Sequence, residues 1–440
     1  MIDYKKVIIQ WKEFEMPAFL PRLADLNTEL DFIVTITGPR RAGKTYFCFQ
    51  SIDLLLKKGI PKENILYINF EDEKLLGAEA KDLELLMDAF YELFTISKNH
   101  KIYLFLDEIQ NVKNWDVWVR RIYDTQKKMQ LVLTGSSSKL LSSEISTKLR
   151  GRVLNKEIFP LSFKEFLAWK NVDYSLKTIS SSKERFEVKK HFADFLINGS
   201  YPSIITQNVP KEGVLQVYYE SMILRDIVER HNVKEVKKLK VLASLLFESV
   251  SKEISYNNLA NKLKSLGFNI SKNTIIDYLS HFEEAYLFFQ NLRYEYSIIK
   301  QLGSIKKLYC IDNGLLNAVS FKFSEDKGKL MENLVFVELK RRGKKIYYHK
   351  DKFECDFVIH EKNKVIAALQ VTNVLNEDNT AREMNGLLEA MEKHALNEGI
   401  VLTHDQKDTK IAGNKTIKVT PIWEWLLLDN SHLSALESKG

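Results

Sequence analysis

Residues 32–45, Phe-Ile-Val-Thr-Ile-Thr-Gly-Pro-Arg-Arg-Ala-Gly-Lys-Thr, form the stretch around which this chain is organised. The run from Phe32 to Thr37 has strand character, and a glycine turn then leads into a segment with helical character. The turn matches the pattern G-x-x-x-x-G-K-[ST] at its fixed positions, which are Gly38, Gly43, Lys44 and Thr45. The order of strand, turn and helix predicts a loop that surrounds a phosphate group.

Backbone geometry explains the residue types of this loop. Its N–H groups must point into one concavity, and glycine accepts the required dihedral angles without a Cβ clash. The next helix presents its unpaired N–H groups to the same anion, Lys44 would reach the terminal phosphates of ATP, and the Thr45 hydroxyl would ligate Mg²⁺. The alternative is a strand-to-helix turn that matches by chance. The predicted nucleotide-binding residues are Gly38, Pro39, Arg40, Arg41, Ala42, Gly43, Lys44 and Thr45.

A second pattern lies downstream, where an apolar run that begins at Ile102 ends in Asp107 and Glu108. A buried strand that ends in two acids delivers carboxylates to the carboxyl edge of a parallel sheet. Asp107 would hold Mg²⁺ through water, and Glu108 would polarise the water that attacks the γ-phosphate. The alternative is a strand that simply leaves the core.

A third apolar strand, Gln130–Thr134, ends in the polar run Thr-Gly-Ser-Ser-Ser. In the additional-strand group of P-loop ATPases this strand lies between the two strands described above. A polar residue at its end contacts the γ-phosphate or the attacking water. Thr134 and Ser136 are the candidates, and the alternative for each is a polar loop residue without such a contact.

Composition places limits on the class of protein. The chain has 440 residues, 45% of them hydrophobic and 28% charged, as in ordinary globular proteins. No apolar stretch reaches the roughly 18 residues that a membrane span requires. Cys48, Cys310 and Cys355 lie far apart without metal-ligand spacing, which predicts reduced thiols in a cytoplasmic protein. The net charge of +7 is compatible with a nucleic-acid partner but does not require one.

The order of these patterns resembles the AAA+-type ATPases of archaea and bacteria that carry a C-terminal domain of unknown function. The resemblance also covers Gly151-Arg152 and the later turn Phe159-Pro-Leu-Ser-Phe163. It implies an α/β fold with a parallel-sheet P-loop core. It also implies that an arginine at the place of Arg152 stabilises transition-state charge on the γ-phosphate of a neighbouring subunit, and hence a homo-oligomer. Arg150 is an alternative for this role, and action within one chain is left open.

We divide the chain into four predicted segments. Residues 1–160 form the ATPase core and residues 161–235 a helical lid. Residues 236–320 form a winged helix-turn-helix, and residues 321–440 form a nuclease-like domain. The stretch Gly199-Ser-Tyr-Pro202 interrupts the helical pattern of the lid and is a candidate hinge.

The winged-helix interpretation of 236–320 rests on two short helices, a capping serine and two apolar strands. Ser271 would cap the second helix, so that Lys272, Asn273 and Thr274 lie at its exposed start. That end of a recognition helix contacts base edges or phosphates, so these three residues are the candidate DNA contacts. The alternative is a domain that only links its neighbours.

The last segment resembles the restriction-endonuclease-like fold, with a helix, three strands, a second helix and a further strand. In that family a helix Glu, a strand Asp and a Glu-x-Lys on the next strand bind metal and activate water. Glu332 and Asp356 match the first two positions, whereas Gln370 and Thr372 replace the acid and the lysine. The departures predict an inactive nuclease site that serves in binding.

The sequence therefore predicts an Mg²⁺-dependent ATPase that couples ATP binding and hydrolysis to DNA binding. Two other functions stay open. One is a nucleotide-gated, metal-dependent nuclease. The other is a signalling or protein-remodelling ATPase with no DNA role, in which the winged helix only connects domains.

Overall fold

The computed structural model describes residues 3–26, 28, 31–136, 149, 151–177, 179, 183–320 and 326–429. The chain divides into two compact units, Met1–Phe159 and Pro160–Gly440. The first unit contains all but the last residue of the segment 1–160 that we predicted as the ATPase core. The other three predicted segments all lie in the second unit.

The first unit is built on a parallel sheet of five strands in the order β2-β3-β4-β1-β5. The predicted parallel core is therefore confirmed, and β4 lies between β1 and β3 as expected. Because all five strands run the same way, the turns after β1, β3 and β4 meet at one edge of the sheet. The strands are β1 Ile33–Thr37, β2 Ile65–Asn69, β3 Ile102–Asp107, β4 Met129–Gly135 and β5 Val153–Glu157.

Helices cover this sheet, which explains the continuous apolar runs in its central strands. All five residues of β1 are buried, as a strand covered on both faces requires. The α-helices are Tyr4–Glu13, Lys44–Lys57, Ala80–Leu93 and Trp115–Thr125, and the short 3₁₀ turns are Lys62–Asn64, Glu73–Leu75 and Ile109–Asn111.

The second unit begins with helices. They are Phe163–Trp169, Glu184–Asn198, Pro202–Thr206, Lys211–Ser221, the π-helix Met222–Glu229, and Val236–Phe247. Among the residues that the structure describes, no helix combines the length and the apolar character needed to cross a bilayer.

Hydrogen bonds hold the stretch Gly199-Ser-Tyr-Pro202, which we predicted as a candidate hinge. The backbone N–H and the hydroxyl of Ser200 both donate to the Asp312 carboxylate, at 2.7 and 3.0 Å, and the Ser200 carbonyl accepts from the Leu161 N–H. Gly199 has φ +76°, and a Cβ there would lie 2.0 Å from the same carboxylate. These contacts indicate an anchored turn rather than a hinge.

A small antiparallel sheet follows, in the order β6-β8-β7, with helices between its strands. Ser271 caps the helix Lys272–Glu284 as predicted, since its Oγ accepts from the Thr274 N–H at 3.1 Å. The elements are β6 Lys252–Ile254, helix Tyr256–Ser265, helix Lys272–Glu284, β7 Phe288–Leu292, helix Ile298–Gly303, β8 Lys306–Cys310 and helix Asn313–Val319.

A mixed sheet of six strands completes the second unit, in the order β13-β14-β12-β11-β10-β9. The strands β9, β10 and β11 pair antiparallel, and β11 pairs parallel with β12. The elements are helix Lys327–Arg341, β9 Lys345–Lys350, β10 Glu354–Glu361, β11 Lys364–Val371, helix Glu377–Lys393, β12 Glu398–Thr403, β13 Asp408–Ala412, β14 Lys415–Pro421 and helix Ile422–Leu426.

Candidate active site

Two glycines shape the loop between β1 and the helix Lys44–Lys57. Gly38 has φ +149°, and a Cβ there would lie 2.0 Å from the carbonyl oxygen of Ile158. Gly43 precedes the helix with φ +94°, in the left-handed region that favours glycine. Any other residue at position 38 would collide with the backbone that follows β5. The loop can therefore keep its course only with glycine at that position.

The Lys44 side chain folds back over this loop. Its Nζ donates to the carbonyl oxygens of Gly38 and Pro39 at 3.1 and 3.2 Å. It also lies 3.7 Å from a carboxylate oxygen of Glu108, and only 5% of the side chain is exposed. The loop residue Arg40 pairs instead with Glu71, at 2.8 Å. Of the two loop cations Arg40 and Lys44, it is therefore Lys44 that lies beside the acid that follows β3.

The Asp107 carboxylate is the centre of a hydroxyl network at the end of β3. Its Oδ2 accepts from the Thr45 hydroxyl at 2.8 Å and from the Tyr67 hydroxyl at 2.7 Å. Its Oδ1 accepts from the Thr134 hydroxyl. The structure therefore brings together Thr45, Asp107 and Thr134 from three separate parts of the sequence. Tyr67 is a further member that sequence reasoning missed, because one tyrosine within an apolar strand carries no pattern.

The burial of Asp107 and the oxygen atoms around it bear on the kind of ligand that this network can bind. Burial raises its pKa above the ordinary value and the Glu108 charge raises it further, while the three hydroxyl hydrogen bonds oppose that rise. The net direction is upward, because burial and the neighbouring acid together outweigh the hydroxyl hydrogen bonds. The Thr45 hydroxyl and the Asp107 carboxylate offer oxygen ligands, the type that Mg²⁺ prefers. The residues present therefore fit a divalent cation.

Glu108 follows in an uncommon backbone conformation. Its φ of +53° and ψ of +44° lie in the left-handed region, which a residue with a side chain adopts at a cost in free energy. The Glu108 backbone N–H donates to the Thr134 Oγ at 2.9 Å, and the Gln110 amide donates to the Glu108 carboxylate. These contacts hold the carboxylate beside Lys44. Thr134, which we predicted to contact the phosphate or the water, here positions both acids.

Arg22 stabilises the loop by hydrogen bonds, although its part of the sequence carried no recognisable pattern. Its guanidinium donates to the carbonyl oxygens of Ala42 at 2.9 Å and Phe159 at 2.8 Å. Its backbone exchanges two hydrogen bonds with the Gln50 side chain. These partners are distant in sequence, so no local spacing could have predicted them.

Arg152 lies at the opposite edge of the sheet. Its carbonyl oxygen accepts from the Ile33 N–H, where β1 and β5 begin, and its guanidinium pairs with Asp124 at 3.1 Å. The five residues of β5 separate it from the loop edge, a distance of roughly 16 Å at the usual rise per strand residue. Within its own chain, Arg152 therefore lies about the length of β5 away from the loop. Arg150 lies outside the described residues.

The candidate DNA contacts lie together at the start of the helix Lys272–Glu284. Lys272 and Asn273 are exposed, whereas Thr274 is half-buried and its hydroxyl lies 2.9 Å from the Ser271 hydroxyl. Lys306 of β8 is close enough that the Lys272 charge lowers its pKa, in addition to the larger effect of burial. Positive charge is therefore concentrated at this end of the helix.

The structure also brings together the candidate nuclease residues. Glu332 on the helix Lys327–Arg341 and Asp356 on β10 both contact the ammonium of Lys307, a β8 residue that sequence reasoning missed. Gln370 lies on β11 beside Asp356, and Thr372 follows the end of that strand.

Comparisons with known proteins give matches along most of the chain. A model of an AAA domain matches residues 31–167, and two models of domains of unknown function match residues 189–326 and 327–425. The chain is 40% identical to an uncharacterized protein of Methanocaldococcus jannaschii, MJ1544, over 97% of this chain and 96% of that protein. It is 33% identical to an uncharacterized protein of Haemophilus influenzae, over 91% of this chain and 95% of that protein.

Among solved structures, the Walker-type ATPase PABY2304 of Pyrococcus abyssi is similar, with 13% identity and a TM-score of 0.43 over 72% of this chain and 96% of that one. The match to the AAA domain includes the loop, Asp107 and Glu108. The two relatives match this chain over nearly their whole length. The chain therefore belongs to the AAA+ P-loop ATPase family that it shares with these relatives, and its first unit is a nucleotide-binding domain.

Proposed function

We propose that this protein is an Mg²⁺-dependent ATPase that couples ATP binding and hydrolysis to DNA binding by its second unit. One observation carries the ATPase proposal. The Thr45 hydroxyl and the Asp107 carboxylate meet at 2.8 Å, beside the buried Lys44 ammonium and the Glu108 carboxylate. This set contains an oxygen pair for the cation, a cation for the phosphates and a base for the water.

The roles follow from charge and position. The Lys44 ammonium would leave the loop carbonyl oxygens to bind the β- and γ-phosphates, and the backbone N–H groups of the loop would bind the remaining phosphate oxygens. When bound, Mg²⁺ supplies positive charge to the same oxygens. Glu108 would orient the attacking water and accept its proton, and Thr134 would hold the backbone that places Glu108.

Transition-state charge on the γ-phosphate needs a further cation, and an arginine is the usual one. Because Arg152 lies at the far edge of its own sheet, its proposed action is on a neighbouring copy of the chain. The proposed homo-oligomer depends on this role.

The DNA proposal rests on the surface around the helix Lys272–Glu284. Along the chain, β6 is followed by two helices and then by β7 and β8, an order that fits a winged helix, and the start of the second helix is exposed. Lys262 and Lys264 are exposed on the preceding helix. Lysines at the start of a helix favour a polyanion, since the positive end of the helix dipole adds to their charge.

The test is the ATPase rate with and without duplex, single-stranded and branched DNA, at about 50 and 200 mM salt. We expect DNA to stimulate the rate, and we expect the stimulation to fade at the higher salt. Lys272→Ala should reduce the slope of log K against log salt by about 1 and leave the basal rate unchanged. Lys410→Ala, on the edge strand β13, is the matched control. Intact DNA binding by a Lys272→Ala/Asn273→Ala variant would contradict the proposed contact.

A second function, remodelling or signalling through a protein partner, is favoured by an exposed apolar segment. Between β7 and β8 five large apolar side chains are at least 49% exposed, and the helix Ile298–Gly303 has no buried residue. Adjacent exposed apolar side chains of this kind mark interaction surfaces. The five are Tyr296, Ile298, Ile299, Leu302 and Ile305.

The apolar segment yields its own prediction. Because neither side chain is buried, Ile299→Ser/Leu302→Ser should change the free energy of unfolding by less than about 0.5 kcal/mol per substitution. If the segment serves a protein partner, DNA-stimulated ATPase activity should also stay unchanged in this variant. Loss of the stimulation with an unchanged melting temperature would assign the segment to the DNA surface instead.

A further inference from the structure

The small antiparallel sheet contains a lysine that is nearly inaccessible to solvent and that contacts acids of the C-terminal segment. Lys307 projects from β8 with 3% of its side chain exposed. Its Nζ lies 2.8 Å from Asp356 Oδ1, 3.1 Å from Glu332 Oε1 and 2.7 Å from Glu354 Oε1. An ammonium has three N–H donors, so these three carboxylates use its full donor capacity.

Two further donors also contact the carboxylates of this cluster. The Tyr309 hydroxyl donates to Glu332 Oε1 at 2.8 Å, and the Val371 N–H donates to Asp356 Oδ2 at 2.9 Å. Burial and the Asp356 charge raise the pKa of Glu332 to about 7. The same carboxylates raise the pKa of Lys307 above its usual value in spite of burial, so the lysine stays charged.

Gln370 and Thr372, the two residues that depart from the nuclease pattern, form hydrogen bonds with other groups. Gln370 accepts from the Asp356 N–H at 3.2 Å and donates to Glu383 at 2.6 Å. The Thr372 hydroxyl donates to the Val374 carbonyl oxygen at 3.4 Å. Neither side chain contributes a carboxylate or an ammonium to the cluster. The cation of the cluster comes instead from β8, a strand of the small sheet.

From this arrangement the structure assigns to the Lys307 ammonium the place between Glu332 and Asp356 that the nuclease-like fold gives to a divalent cation. The metal that such a fold implies does not fit the residues present. Mg²⁺ requires oxygen ligands at about 2.1 Å in an octahedron, and the ammonium already fills the space between these two carboxylates. A second cation there would meet the charge of the first in a buried environment. The cluster therefore anchors the small sheet to the C-terminal sheet and does not bind a catalytic metal.

The test measures Mn²⁺ binding to the full chain without nucleotide, by electron paramagnetic resonance of free Mn²⁺ and by melting temperature. All variants carry Asp107→Asn, which removes the carboxylate ligand at the loop site. Two other groups of residues could also bind Mn²⁺, and they are the same in all variants, so their contribution cancels in the comparison. They are His231/His281/Glu284 and His349/Asp351/Glu389. With Lys307 present, we expect Asp356→Asn to leave the Mn²⁺ stoichiometry unchanged. A site lost through Asp356→Asn would overturn the assignment.

Replacing the lysine should create the metal site. Lys307→Met keeps the side-chain volume and leaves the carboxylates without their cation, so the melting temperature in EDTA should fall. Mn²⁺ should then bind with one additional site per chain and restore roughly 5 °C of that loss. Lys307→Met/Asp356→Asn should fold and show no response to Mn²⁺. A stable Lys307→Met variant that gains no Mn²⁺ would overturn the inference. If the Lys307→Met variant does not fold, the effect of Asp356→Asn in the protein that retains Lys307 tests the inference by itself.

Discussion

Glu108→Gln is expected to slow ATP hydrolysis by about 10²- to 10⁴-fold, the usual contribution of a positioned general base. Glutamine has the same shape and can accept the hydrogen bond from the Gln110 amide, but it cannot take a proton from water. Because the backbone N–H of residue 108 still donates to Thr134, the loop should keep its conformation. ATP affinity should therefore change by less than about threefold, because the Lys44 ammonium is proposed to contact the phosphates and not Glu108 when ATP is bound.

Single-turnover hydrolysis with a separate measurement of the ATP dissociation constant distinguishes these effects. Glu63→Gln is a matched control, because Glu63 is an exposed acid at the amino end of β2, away from the loop edge. It should hydrolyse ATP at the wild-type rate. A Glu108→Gln variant that retains a third or more of the wild-type rate would remove Glu108 from the proposed role.

Lys44→Ala is expected to weaken ATP binding by roughly 100-fold, which corresponds to about 3 kcal/mol for a charged hydrogen-bonding group. The ammonium is the only side-chain cation that the described loop holds within 4 Å of the Glu108 carboxylate. Its removal leaves the β- and γ-phosphates to the backbone donors of the loop and to Mg²⁺. Lys44→Met, which retains most of the side-chain volume, should lose the same affinity and so exclude a packing defect as the cause.

The opposite end of the same helix offers the control. Lys57 is 71% exposed and pairs with Asp53 one turn earlier at 2.7 Å. Lys57→Ala should bind ATP as the wild type does, because a surface pair of this kind contributes little to stability. Isothermal titration of ATP into the three variants measures the difference directly. Wild-type affinity in Lys44→Ala would contradict the assignment of the phosphate loop.

The residues of the candidate nucleotide site could be proposed from the sequence because they lie in two short runs. Gly38, Lys44 and Thr45 lie within eight consecutive residues, and Asp107 and Glu108 are adjacent. Parallel strands place such runs at one edge of the sheet whatever the loop lengths between them. The chemistry of the loop and the parallel core could therefore be anticipated without coordinates.

The contacts that hold this site in place could not be predicted. The Arg22 side chain, which stabilises the loop, donates a hydrogen bond to the carbonyl oxygen of Phe159, 137 residues later in the sequence. Tyr67 reaches Asp107 from a neighbouring strand, 40 residues earlier in the sequence. The pairing of β5 with β1 places Arg152 at the far edge of the sheet, away from the loop. Each of these facts depends on how distant segments of the chain pack or pair, which local spacing does not encode.

The C-terminal sheet shows the same division between sequence and structure. The sequence by itself determined that Gln370 and Thr372 replace the acid and the lysine of the nuclease pattern, since those positions follow from one short strand. Only the tertiary structure decided which cation the remaining acids bind. Lys307 lies 25 residues from Glu332 and 49 residues from Asp356 and belongs to a different sheet. A buried ion pair between distant elements forms only when the chain packs, so its chemistry is a property of the fold.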